Sequence, residues 1–216
     1  MSPLHKLDRN IVVVSRERLL FNDEFEGFRT ANELDYQSRI LTSYEWMRRR
    51  DAESDPRYKQ PICCAIVVNR SDETVFVAQK LKGSSESRLH GTRSCCIGGH
   101  IEEEDVAGEG TILEQGFLRE RDEELILSDP PPVQLFGYLN DDSSEVSKVH
   151  FGVMYLVALD SSDCRLRAET LAHGSFQTLH ALETMCVPPH NVVDDWARFM
   201  IAPLKAYFAS VGAHSV

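Results

Sequence analysis

A glycine pair set between two stretches of different periodicity constrains this chain more than any other feature. Residues 94–97 are short and apolar in the manner of a strand, and they run straight into Gly98-Gly99. Further on, Thr111-Ile112-Leu113-Glu114 matches a capping box, which predicts a helix over 111–127. That helix carries Arg119-Glu120-Arg121-Asp122-Glu123-Glu124. Glu120, Glu123 and Glu124 stand at i, i+3 and i+4, so their carboxylates share one face. Left bare, each like-charge pair costs roughly a few tenths of a kcal/mol. A divalent cation reverses that sign, and hard ions such as Mg²⁺ take a few carboxylates together with substrate phosphate oxygens. The simplest reading is a metal-dependent site for a phosphorylated compound.

The rest of the chain mixes strands and helices. A strand is expected at 11–15, then a helix over 31–50 from the spacing of Leu34, Tyr36, Ile40, Leu41, Tyr44, Trp46 and Met47. Arg48-Arg49-Arg50 would suit the C-terminal end of that helix. A polar linker follows at 51–60. Residues 61–69 and 74–79 read as a hairpin, with the turn at 70–73. Residues 81–93 form a polar, basic loop. Asp129-Pro130-Pro131-Pro132 ends the acidic helix. Strands are expected at 133–139 and 149–159, shorter ones at 164–167 and 176–179, and a long amphipathic helix over 191–211. Hairpin-length loops between strand pairs favour an α/β (α+β) fold with a mixed sheet and helices on its faces. At 216 residues, one domain with elaborations is expected. Its parts would be an N-terminal extension over 1–55, a strand plus a helix packed on a main domain over 56–216.

A formal net charge of −11 argues against a nucleic-acid or anionic-membrane binder, and leaves room for a small anionic ligand. The six cysteines form no Cys-x-x-Cys pair, and most are read as small buried hydrophobes. The N-terminus has no apolar signal core, and no apolar run reaches membrane-spanning length, so a cytoplasmic location is expected.

Gly98-Gly99-His100-Ile101-Glu102, the capping box and the acidic run together resemble the Nudix hydrolase signature, G-x5-E-x7-R-E-U-x-E-E-x-G-U, with U aliphatic. Gly99 matches its first glycine, and Arg119, Glu120, Glu123 and Glu124 match its R-E-x-x-E-E core. Residues Arg88 to Gly91 and Cys95 to Ile101 look like a little-characterised bacterial branch of predicted phosphoesterases. The resemblance implies a Nudix-like α/β/α sandwich and Mg²⁺- or Mn²⁺-dependent hydrolysis of a nucleoside diphosphate linked to another moiety. Three positions depart from the pattern. Arg119 follows Gly99 by 20 positions, against 14 in the signature, so the intervening loop is longer, with the extra residues expected within 103–110. The signature's first glutamate then falls on Asp105, counting forward from Gly99, or on Thr111, counting back from Arg119. Arg121 stands at the aliphatic position and Ile126 at the final glycine.

On this reading Gly99, through its carbonyl, joins Glu120, Glu123 and Glu124 as metal ligands. One of Glu123 and Glu124 is the candidate general base on the attacking water. The resemblance gives Arg119 an orienting role toward the glutamates. Lys80, Lys82, Arg88, His90 and Arg93 are candidate phosphate-binding residues, or else a solvated basic loop. Asp141, Asp142 and Glu145 lie in the loop between two late strands. Glu145 is carried forward as a distal acid, against the plainer reading of a polar turn. His150 either faces the pocket or is a satisfied, buried histidine. The aromatic side of the last helix, with Trp196, Phe199, Met200, Leu204 and Phe208, is read as core or as a homodimer contact. The expected partner is a small, nucleotide-like phosphorylated substrate. A second reading is a catalytically weak ligand sensor on the same fold.

Overall fold

The fold was obtained as a computed structural model that describes residues 6–81, 91–167, 171–190 and 192–212. A continuous buried run, Ile11 to Val14, gives β1 (Asn10–Ser15), followed at once by α1 (Arg16–Leu20) and, after a loop, β2 (Gly27–Thr30). Asp35 caps α2 (Tyr36–Ser43) by accepting from the Ser38 amide at 2.9 Å. The helix expected to run on to residue 50 stops there. Tyr44–Arg48 is a strand, β3, antiparallel to β1, with Ile11 opposite Met47 and Val13 opposite Glu45. Tyr44, Trp46 and Met47 satisfy a period of two as readily as a helical one, and the open edge of β1 offers them backbone partners. Arg48-Arg49-Arg50 therefore does not close a long helix. Arg49 opens the single turn α3 (Arg49–Ala52), is buried, and binds Glu53 Oε1 through Nε and a terminal nitrogen, each at 3.1 Å.

The expected linker is also shorter than the sequence suggests, because β4 (Tyr58–Asn69) starts at Tyr58 and is buried along nearly all its length. The turn at 70–73 leads into β5 (Thr74–Lys80), with Val68 opposite Val75, so the hairpin is as expected. Beyond it come β6 (Arg93–Ser94), β7 (Ile97–His100), the helix α4 (Ile112–Glu124) and β8 (Leu125–Leu127). The acidic helix ends earlier than 127 because Leu125–Leu127 pairs with β11 (Cys164–Leu166). Between them lie β9 (Gln134–Asn140) and β10 (His150–Leu159). The chain closes with β12 (Leu171–Thr178), α5 (Leu179–Met185) and α6 (Asp195–Gly212). Residues 176–179, read as a short strand, are the end of β12 and the start of α5, which Thr178 caps.

The chain divides into two compact units. The first holds the described residues up to Cys64, Gly98–Glu120 and Leu135–Met154. Its core joins Ile11, Val13 and Ala52 with an aromatic group, in which the Tyr36 ring lies 5.1 Å from Tyr138 and 5.4 Å from Phe151. The second holds Ala65–Ile97, Arg121–Gln134 and the chain from Tyr155 on. There β5 pairs with both β4 and β12, and Phe76 stacks edge-on against Phe176 at 5.3 Å. α6 buries Ala197, Met200, Leu204 and Phe208, while Trp196 and Phe199 stay half-buried. Cys63, Cys64, Cys95, Cys96 and Cys164 are buried free thiols, as read from their apolar neighbours. Among the described residues, no helix is long and apolar enough to cross a membrane.

Candidate active site

The glycine pair continues the chain as strand. It lies within β7. The reason is space. A Cβ on Gly98 would stand 1.9 Å from the carbonyl oxygen of Cys63 on the neighbouring strand β4. A Cβ on Gly99 would stand 2.6 Å from the carboxylate of Glu120. The two glycines thus let backbone approach backbone on one side and a glutamate on the other. The second contact seats the first residue of the acidic stripe against β7.

α4 starts where the capping box places it. The Thr111 amide donates to Glu114 Oε2 at 2.9 Å, and the Glu114 amide donates back to Thr111 Oγ1 at 3.2 Å. Thr111 is therefore committed to the cap, and the other candidate for the signature's first acid is the one engaged. Asp105 sits in a 3-10 turn, Glu103–Ala107, and is buried. Its two carboxylate oxygens accept from Arg119, from Nε at 2.8 Å and a terminal nitrogen at 3.0 Å, the bidentate geometry that fixes a guanidinium in a plane. The same terminal nitrogen donates to the His100 carbonyl at 2.7 Å, and the other donates to Glu120 Oε1 at 2.8 Å. Burial works against the charge on Arg119, but its hydrogen bonds to Asp105 and the nearby Glu120 charge outweigh it and raise its pKa above the ordinary value. Arg119 is a permanently charged brace that joins the acidic helix to the end of β7. Counting forward from Gly99 identifies its partner, and the additional loop residues then follow Asp105.

Glu120, Glu123 and Glu124 fall on one stripe of α4. Glu120 is mostly buried, Glu123 is exposed, and Glu124 is half-buried at the helix end, with its Oε2 atom buried and accepting no hydrogen bond from the described residues. Hard anionic oxygens, a glycine carbonyl strand beside them and a buried carboxylate oxygen are a donor set that suits Mg²⁺ or Mn²⁺. The carboxylates themselves do not converge. Among the described residues, the His, Cys, Asp and Glu ligand atoms that gather within 4.8 Å belong to Glu53, His100 and His150.

Lys80 Nζ stands 3.7 Å from Asp194 Oδ2, and an Arg93 terminal nitrogen reaches Met185 Sδ at 3.8 Å, all within the second unit. Lys82, Arg88 and His90 lie outside the described residues. Glu145 is exposed and pairs with Lys148 at 2.7 Å. Asp142 is an ion-pair partner, bound by both terminal nitrogens of Arg16 and by Lys59 Nζ at 2.9 Å. Lys59 is fully buried and also donates to the carbonyls of Ser147 and His150, each at 3.2 Å. No sequence pattern announced this group, because its members are scattered along the chain. The Arg16 hydrogen bonds, helped by Lys59, hold the Asp142 carboxylate down at about 2. A depressed carboxylate stabilises the fold above its unfolded pKa of about 3.9 and loses that contribution as pH falls toward 2. Urea titrations between pH 5 and pH 2 should show this group contributing about 1 kcal/mol, since water screens a carboxylate this exposed. The Asp142→Asn variant should be less stable at neutral pH and flatter over that range. An acid limb as steep as that of the parent would refute the assignment.

No protein-family model matches the chain. It is 31% identical over 208 residues to protein YmaB of Bacillus subtilis (strain 168), an alignment covering 93% of this chain and 99% of that one. The crystal structure of Tm1382, itself a proposed Nudix hydrolase, superposes with a TM-score of 0.73 at 25% identity, over 92% of this chain and 99% of the other. The NUDIX domain of Shewanella oneidensis NrtR, in complex with ADP ribose, superposes with a TM-score of 0.52 at 17% identity, over 69% of this chain and 88% of that domain.

Proposed function

The chain belongs to the Nudix superfamily, with its α/β/α sandwich, and from that premise we propose that it hydrolyses the diphosphate linkage of a nucleoside diphosphate-X compound. Pyrophosphate-bond hydrolysis is the general activity of the hydrolases it resembles. One observation carries the finer reading. The signature elements meet in space although the loop between them is longer, with Asp105 and the His100 carbonyl gripping Arg119 and Glu120 lying against Gly99. A solvated acidic helix would have no reason to hold a half-buried arginine between an aspartate and a backbone carbonyl beside its acids.

Gly99, Glu120, Glu123 and Glu124 are the residues that would hold a Mg²⁺ or Mn²⁺ ion, which supplies charge neutralisation on the diphosphate and a more acidic water. Arg119 keeps Glu120 turned toward β7 and so fixes the stripe. Glu123 or Glu124 takes the proton of the attacking water, and the water oxygen forms the new bond to phosphorus. The bond from that phosphorus to the bridging oxygen breaks, leaving two phosphorylated products. Lys80 and Arg93, with Lys82, Arg88 and His90 of the intervening segment, are proposed to hold the non-reacting phosphate. Glu145 is proposed only as a distal acid that would have to leave Lys148 to serve.

The ligand of the NrtR domain puts ADP ribose first among test substrates, with nucleotide sugars, dinucleoside polyphosphates and nucleoside triphosphates beside it. Hydrolysis should require Mg²⁺ or Mn²⁺ and be lost on chelation. Tight binding of the same compounds with no turnover, with either metal and up to alkaline pH, would replace the enzyme with a ligand sensor.

A further inference from the structure

The cluster of Glu53, His100 and His150 lies apart from the acidic stripe in its chemistry and is not needed by the proposed hydrolysis. Three elements deliver it. Glu53 caps the end of α3, His100 ends β7 and His150 begins β10. Both histidines are buried, their rings meet edge to face at 5.4 Å, and one ligand atom from each of the three residues lies within 4.8 Å of the others.

The hydrogen bonds around the cluster orient it. His150 Nδ1 lies 2.7 Å from the Val146 carbonyl, which can only accept, so that nitrogen carries the proton and Nε2 carries the lone pair. Glu53 Oε1 is held by two Arg49 nitrogens at 3.1 Å and lies 4.0 Å from His100 Nε2. Fully buried Gln60 places Oε1, which can only accept, at 2.7 Å from His100 Nε2, so without an ion that nitrogen carries the ring proton and would pass it to Nδ1 on binding a metal; the Gln60 amide nitrogen has no hydrogen-bond partner among the described residues. A backbone carbonyl behind one imidazole and a guanidinium behind the carboxylate are the outer contacts that orient metal ligands. The positive groups that face His100 are Arg49, Arg119 and Lys6, and they oppose a cation bound by charge alone. Two imidazoles with one carboxylate select instead for a borderline ion such as Zn²⁺, and discriminate against Mg²⁺.

We propose that Glu53, His100 and His150 form a second metal site, for a Zn²⁺-class divalent ion, with Gln60 Oε1 as the adjacent fourth donor. The ion would tie α3, β7 and β10 together.

The test is Zn²⁺ titration of the full chain, followed by imidazole ¹H–¹⁵N correlation spectra. One equivalent of Zn²⁺ should shift the ring nitrogens of two of the eight histidines. Fewer than two shifted histidines overturns the proposal. Zn²⁺ affinity measured by calorimetry should fall by at least about tenfold in His150→Gln and in Glu53→Gln, the lower bound for disturbing a metal's ligand set. Unchanged affinity in folded variants overturns it, and if both variants fail to fold, the parent spectrum decides. The double variant Glu120→Gln, Glu124→Gln should retain the histidine shifts. Their loss there would assign the Zn²⁺ to the acidic stripe and sink the second site, whereas lost hydrolysis with retained shifts concerns only the proposed activity.

Discussion

Glu124→Gln should lower kcat for the proposed metal-dependent diphosphate hydrolysis by about a hundredfold or more, while the chain stays folded. The substitution keeps side-chain volume and removes one negative charge and one proton acceptor. Glu124 sits at the end of α4 with a buried Oε2, so a ligand or base role there depends on an oxygen that water does not screen. Glu123→Gln is the companion measurement. Glu123 is exposed, so its loss should act through ion binding and be partly offset by raising the Mg²⁺ concentration. Loss of kcat that excess metal does not restore in Glu124→Gln would identify Glu124 as the base. Turnover at the parent rate in both variants would remove the proposed mechanism, and far-UV circular dichroism with thermal melts would show whether the fold survived the change.

Gly98→Ala should destabilise the chain by about 3 kcal/mol, the upper end for overpacking. The added methyl would meet the Cys63 carbonyl oxygen at 1.9 Å, and that atom belongs to the backbone of a buried strand. It cannot swing aside as a side chain would, so β7 must move off β4. Gly99→Ala makes the contrasting case, because the atoms it meets are the end of the flexible Glu120 side chain. It should lose less stability, yet disturb the stripe and raise the Mg²⁺ concentration needed for half-maximal activity. Chemical denaturation of both variants separates the two. Equal stability of Gly98→Ala and the parent would contradict the close approach of the strands.

Much of the site is legible in local sequence. The capping box at Thr111 starts α4 where expected, because its two hydrogen bonds join residues three apart. The hairpin of β4 and β5 is equally local. Asp105 was one of two outcomes of counting, and only the bidentate bond to Arg119, fourteen positions away, decides between them. From sequence alone β3 reads as helix because residues 44–48 fit either period, and the partner that settles it, β1, lies far back in the chain. Asp142 offered no sign that it belongs to Arg16, which is 126 positions earlier.

The residue order alone determined the acidic stripe, the two glycines before it and the helix that carries it, since these depend on spacing and nearest-neighbour hydrogen bonds. Tertiary structure decided which acid grips Arg119, which basic groups claim Asp142, and that two distant histidines meet beside Glu53. Such contacts form between segments brought together by burying apolar strands, and the driving force of that burial carries no directional record in the local pattern of charged residues.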